Sequence, residues 1–373
     1  MTRRSFPPYR ADHVGSLLRP SYLHSAREKF AAGELSAEAL RETEDRAVRE
    51  VVAMQEDIGL STATDGEFRR STWHMDFIYK LDGINASDST MSVRFHNEAG
   101  DIEFAPSATR IDGRIRLGEP IFGEDFAYLA SQVSTATPKL TMPSPSMVHY
   151  RGGPAAISPE VYPDIERFWD DLSAAYADQI RAMSARGCKY LQLDDTSLAY
   201  LNDPAQRAQL AERGDDAEHQ HLRNIKQMNA ALAARPSDMA VTTHMCRGNF
   251  RSSWVAEGGY EFVAEAVFNE LDVDGFFLEF DDERSGGFAP LRFVPDDKVV
   301  VLGLVTTKRG ELESKDALKR RIEEATRYID IDQLCLSPQC GFASTEEGNA
   351  LDIEQQAAKL RLIVETAREV WGD

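Results

Sequence analysis

The chain has 373 residues, 42% of them hydrophobic, and a formal charge of −20. That is enough apolar material for a sizeable core, and too acidic a balance for nucleic acid or an anionic membrane as partner. No run of about 18 apolar residues offers a membrane span, and the basic start, Met1-Thr2-Arg3-Arg4, lacks the apolar stretch of a signal peptide, so a cytoplasmic location is expected. The four cysteines, Cys188, Cys246, Cys335 and Cys340, are too sparse for a disulfide framework and read as free thiols or metal ligands.

Helical spacing of Leu40, Ala47, Val51, Met54 and Ile58 predicts a helix from Ser36 to Ile58, stopped by Gly59, with a short strand after it ending at Thr64-Asp65-Gly66-Glu67. The stretch 90–118 breaks the pattern. Ser92 to His96 and Thr109 to Leu117 read as strands of an antiparallel insertion over one end of the fold. Beyond it, strand-like and helix-like segments alternate: a helix over Asp164–Arg186, a strand over Lys189–Asp194, a helix over His219–Ala233 and a strand over Met239–Thr243. Then come a helix over Tyr260–Leu271, strands at Gly275–Glu279 and Lys298–Gly303, a helix over Ser314–Ile329, a strand at Gln333–Leu336 and a last helix over Ile353–Val370. Such alternation predicts a parallel sheet. No GxGxxG or GxxxxGK[ST] loop occurs, and the polar candidates sit at the C-terminal ends of many strands, so the expected fold is a single (βα)8 barrel over residues 1–373.

Three strand ends carry the chemistry. His244 and Cys246 are two residues apart on an extended segment and point to one side; Glu279 ends another strand; Cys340 follows the last. One imidazole, two thiolates and a carboxylate make a tetrahedral zinc set. Taken singly, each residue reads as ordinary strand or core material; the set argues for metal. A thiolate-rich site is a poor generator of hydroxide and better suited to holding an incoming thiol as thiolate. Glu67 and Asp194, at other strand ends, suit a substrate ammonium or acid–base work, whereas Asp195 divides evenly between that and a helix cap. His13-Val14-Gly15-Ser16 offers backbone N–H groups to a carboxylate. The loop Pro143-Ser144-Pro145 reads as a rigid pocket edge, and Trp73, His74, Met75 and Phe77 as core first and pocket wall second.

The set Asp65-Gly66-Glu67-Phe68-Arg69-Arg70, Gln192-Leu193-Asp194-Asp195, His244-Met245-Cys246, Leu278-Glu279 and Pro338-Gln339-Cys340-Gly341 resembles the catalytic barrel of cobalamin-independent methionine synthase, from about His13 to the C-terminus. The resemblance implies zinc on His244, Cys246, Glu279 and Cys340. It implies the amino group of homocysteine on Glu67 and Asp194, and its carboxylate on the backbone at Val14 and Ser16. The reaction implied is alkyl transfer to a metal-bound thiolate. The chain holds only the catalytic one of the family's two barrels. Where the family carries a catalytic His beyond the seventh strand, this chain reads Gly303-Leu304-Val305-Thr306-Thr307-Lys308, which makes Lys308, with Asp194, the candidate proton-handling group. The short form also resembles the epoxyalkane:coenzyme M transferases. A non-catalytic zinc barrel is the reading from another class. The methyl donor is left open between a folate, a corrinoid protein and a small methylated compound. Oligomeric state is not legible, and a homo-oligomer is compatible with the chain.

Overall fold

A computed structural model describes residues 4–90, 92–97, 100–105 and 107–372. Its strands in chain order are β1 (Thr62–Ala63), β2 (Asp82–Thr90), β3 (Val93–Asn97), β4 (Gly100–Phe104), β5 (Ser107–Arg116), β6 (Thr137–Pro143), β7 (Tyr190–Asp194), β8 (Ala240–Met245), β9 (Gly275–Glu279), β10 (Val299–Val305) and β11 (Leu334–Pro338). Seven form one parallel sheet in the order β1-β6-β7-β8-β9-β10-β11. Strands β7 to β11 are buried at every residue, as expected of parallel strands covered on both faces.

The sheet curls, and the segment before His13 lies between its edges. Leu336 donates to the Arg10 carbonyl and the Asp12 amide donates to Leu336, while Leu17 donates to the Gly66 carbonyl just beyond β1. The fold is therefore α/β with a curled parallel sheet. Inside the curl, Lys139 Nζ donates to the His13 carbonyl at 2.7 Å and lies 3.6 Å from Asp12, which also accepts from Tyr190 Oη at 2.9 Å. Around this polar column pack Val14, Phe277, Val299, Val301 and Cys335.

Helices cover the outside. Ala37–Ile58 starts at Ser36, whose side chain accepts from the Ala39 amide, and stops at left-handed Gly59; Ile353–Trp371 starts with a capping box of Asp352 and Gln355. The helix expected from Tyr260 begins at Ala264, the 260–263 stretch being turn. Between β1 and β6, β2 pairs antiparallel with β5 and β3 with β4, so the excursion starts at Asp82, earlier than the sequence pattern indicates.

Candidate active site

Strand register builds the site. Pro143 pairs with Asp194, Asp194 with His244, and Glu279 with Gly303, so the C-terminal ends of β6 to β10 deliver their side chains to one rim. Tyr260 locks two of these ends together: its hydroxyl donates to the Met245 carbonyl and accepts from the Glu279 amide. The Cys340 loop is fixed from both sides. Asn249 donates to the Gly341 carbonyl at 2.7 Å, and the Phe342 amide donates to the Ser16 carbonyl. Gly341 is required there, since a Cβ would fall 1.9 Å from Ser16 Oγ.

His244, Cys246 and Cys340 converge. All three are buried, and their ligand atoms lie within 4.8 Å of one another. Ligands about 2.3 Å from a tetrahedral ion stand roughly 3.8 Å apart, so the spacing suits one soft ion among them. Neither ring nitrogen of His244 meets a nitrogen or oxygen partner among the described residues, an expensive omission for buried polar atoms unless a metal or proton satisfies them. The Cys340 thiol is held well below its usual pKa, first by the hydrogen bond from Cys246 and then, against burial, by His244. Cys246 is pushed the opposite way, first by the same hydrogen bond and then by burial, so of the two thiols Cys340 is the more acidic.

Glu279, the fourth ligand of the sequence reading, neighbours this group and is held by cations: its Oε1 accepts from Arg284 at 2.6 Å and from Lys308 at 3.3 Å, and its Oε2 from the Arg247 amide at 2.8 Å. Burial alone would raise its pKa; Lys308, Arg284 and Arg247 outweigh that and push it far down. Lys308 is buried close enough to Cys340 to feel its charge. It pairs with Glu279 and Asp281 and does not line the cavity above the sulfurs.

That cavity, about 40 Å³, is lined by His244, Cys246 and Cys340 together with Val14, Ser16, Glu67 and Asp194. Burial raises the Asp194 carboxyl to about 7, opposed by His244, and also raises Glu67 against the pull of Arg70. Glu67 sits at φ +61°, a left-handed conformation for a non-glycine residue, and accepts from Thr141 Oγ1 at 2.6 Å. Asp195 plays a structural part. Its carboxylate takes hydroxyls from Ser144, Ser146 and Ser197 and the Leu198 amide, tying the Pro143–Pro145 loop to the helix Ser197–Tyr200. Rings complete the enclosure: Trp73, Tyr200 and Phe250, with Phe95 and Phe104 from the β3–β4 hairpin.

A family model for the cobalamin-independent synthase catalytic domain matches residues 11–369. The chain belongs to this family. It is 48% identical over 370 residues to YxjG of Bacillus subtilis (strain 168), a protein of uncharacterized function, covering 99% of this chain and 96% of that one. It is 24% identical to the methionine synthase of Pyrococcus furiosus over 88% of this chain and 85% of that one. A Listeria monocytogenes structure assigned as a vitamin-B12-independent methionine synthase superposes with a TM-score of 0.79 at 37% identity, covering 99% and 100% of the two chains. The Shewanella B12-independent methionine synthase, solved with selenomethionine, shares the fold at 17% identity and TM-score 0.73, covering 97% of each chain.

Within this synthase-family fold, the structure gathers Val14, Ser16, Glu67, Asp194, His244, Cys246 and Cys340 around one cavity and leaves Glu279 and Lys308 in an adjoining charge cluster. Sequence reasoning misses Phe95, Phe104, Tyr200 and Phe250. Isolated aromatics in short strands and loops look like core, and only the folding of the hairpin over the rim makes them cavity residues. Arg284 was hidden in the polar run Asp281–Gly287, which reads as solvent-facing turn. Among the described residues, no helix is long and apolar enough to cross a membrane.

Proposed function

We propose that this chain is a zinc-dependent thiol S-methyltransferase acting on homocysteine or a close aminothiol, built on a closed (βα)8 barrel and working in the cytoplasm. The observation that carries the reading is the buried His244–Cys246–Cys340 group opening into a cavity with two desolvated carboxylates. These donors fit zinc: one imidazole, two sulfurs, and no nitrogen or oxygen partner for the His244 ring nitrogens among the described residues. When bound there, zinc lowers a substrate thiol's pKa and holds it as a nucleophilic thiolate.

The chain's own residues supply the rest. Glu67 and Asp194 receive the substrate ammonium, whose charge favours the ionised carboxylates that burial disfavours. The loop of Val14 and Ser16 faces the substrate carboxylate, with Gly15 at φ +143° letting the backbone approach. Glu279, fixed by Arg284 and Lys308, places negative charge behind the cysteines without occupying a ligand position, and Lys308 neutralises part of it. The aromatic roof excludes water, which strengthens these electrostatic contacts. The test is zinc quantification followed by product analysis with homocysteine and a panel of methyl donors. Stoichiometric zinc with no S-methyl product from any donor would refute the reading.

A further inference from the structure

Above the sulfur group the cavity is walled by rings. Phe250 lies 5.3 Å from Phe95 and 4.9 Å from Phe104, centroid to centroid, so the hairpin and the loop after Cys246 present one aromatic patch. The patch is fastened in place: His96 and Trp254 exchange two backbone hydrogen bonds, and Asn97 donates to Ser253 Oγ. Trp73 adds its ring to the same cavity. The acidic side chains in that lining are Glu67, Asp194 and Asp195, and no lysine or arginine of the described residues belongs to it. Asp195 is committed to its serines, Glu67 is paired with Arg70 at 3.4 Å, and Glu67 and Asp194 together are taken by the substrate ammonium, so what the wall offers a second substrate is its rings.

Such a wall attracts a positively charged, weakly hydrated group through the ring quadrupoles. A polyanionic donor gains nothing from it and is repelled by the acidic chain. We propose that the methyl donor is a small methyl-onium compound, a sulfonium or a quaternary ammonium, seated against Trp73, Phe95, Phe104 and Phe250 above the bound thiol. The inference rests on the thiol methyltransferase reading and names its second substrate.

The chemistry balances without a further reagent. The substrate thiol loses its proton to solvent on binding. A thiolate lone pair forms the new S–CH3 bond, the onium C–S or C–N bond breaks, and its electron pair stays on the departing heteroatom. The leaving group is then a neutral thioether or tertiary amine that needs no proton. This accords with Lys308 lying in an ion-pair cluster away from the cavity. Loss of the positive charge also releases the product from the aromatic wall.

Two measurements on the zinc-loaded full chain test this. In the first, homocysteine is offered with S-methylmethionine, dimethylsulfoniopropionate, glycine betaine, 5-methyltetrahydrofolate and methylcobalamin, and methionine is quantified. Turnover with the sulfoniums or with betaine is expected, and which of the two works identifies the source. In the second, calorimetry compares choline with its uncharged isostere 3,3-dimethylbutan-1-ol in the presence of homocysteine; choline is expected to bind roughly tenfold tighter, and Phe104→Leu to reduce that preference severalfold with the far-UV spectrum unchanged. Methionine formed from the folate or the corrinoid alone, with equal binding of choline and its isostere, overturns the onium donor and leaves the methyltransferase standing. Methionine from no donor, with equal binding, overturns both.

Discussion

Lys308 and Glu279 form an ion pair, Nζ to Oε1 at 3.3 Å, and the Glu279 side chain has no exposed surface. Arg284 grips the same oxygen and the Arg247 amide the other, so the carboxylate is clamped beside the sulfur group rather than within it. Replacing Lys308 with Met removes one of two cations on Oε1 and lowers the positive charge near the cysteines. Both changes favour a divalent ion. The K308M protein is expected to bind zinc about tenfold more tightly in chelator competition, and X-ray absorption should show an added oxygen ligand. Unchanged affinity and coordination would contradict the clamp.

Cys246→Ser and Cys340→Ser each remove a soft ligand from the three-residue group. Zinc content should fall from about one per chain to a small fraction, with the helical signal retained, because the two cysteines follow β8 and β11 and lie outside the sheet strands. Full zinc in both variants would exclude the group as the metal site.

Glu67→Gln and Asp194→Asn keep shape and remove charge. The Michaelis constant for homocysteine is expected to rise by about tenfold or more, since a charged hydrogen bond contributes roughly 1.5–3 kcal/mol. A thiol of similar length lacking the ammonium should be affected little. Equal effects on both thiols would assign the carboxylates to folding instead.

His149 is nine-tenths or more buried, stacked 4.8 Å from Trp169, and its pKa is lowered from 6.5 to about 4, chiefly by burial, with Asp215 opposing. A group with a depressed folded pKa stabilises fully above the unfolded value and loses that contribution as pH falls. Stability should therefore decline between about pH 6.5 and 4, by roughly 3 kcal/mol for this residue. His13, also lowered to about 4 by burial, adds to the same slope. Denaturant midpoints across this range check it, and His149→Gln should flatten the curve.

Inside the curled sheet, Lys139 and Asp12 are fully buried partners. Lys139→Met strands the carboxylate with only Tyr190 and backbone amides as donors, which costs about 3–5 kcal/mol in urea unfolding. The double change Lys139→Met, Asp12→Leu should recover much of it.

The alternating strands and helices were legible because each strand from β7 onward is a short segment rich in apolar or β-branched residues between helical patterns. Four of the strand-end residues, Asp194, His244, Cys246 and Cys340, were legible as a set because their residue types are uncommon at such positions. Glu279 was placed on the correct strand, yet its partner could not be read. An ion pair with Lys308 depends on two loops folding back, and nothing in the local pattern encodes that. The antiparallel excursion was visible as a break in period, but β2 and β4 were not: Asp82–Thr90 is polar and Gly100–Phe104 short, so neither shows the alternation that marks a half-buried strand. That the hairpin roofs the cavity follows from the His96–Trp254 pairing, a long-range contact.

The Gly341–Ser16 contact joins the last strand's loop to the first turn of the chain. Its consequence is one of timing. A nascent chain exposes Ser16, then Glu67, Asp194, His244 and Cys246 as they are made, but Cys340 and the β11 edge that holds Arg10–Asp12 come last. Until then His244 and Cys246 have no third donor, and the N-terminal segment has no strand to lie against. For the proposed zinc this defers capture to the end of synthesis, and a prematurely terminated chain would carry a two-donor remnant too weak to retain the ion.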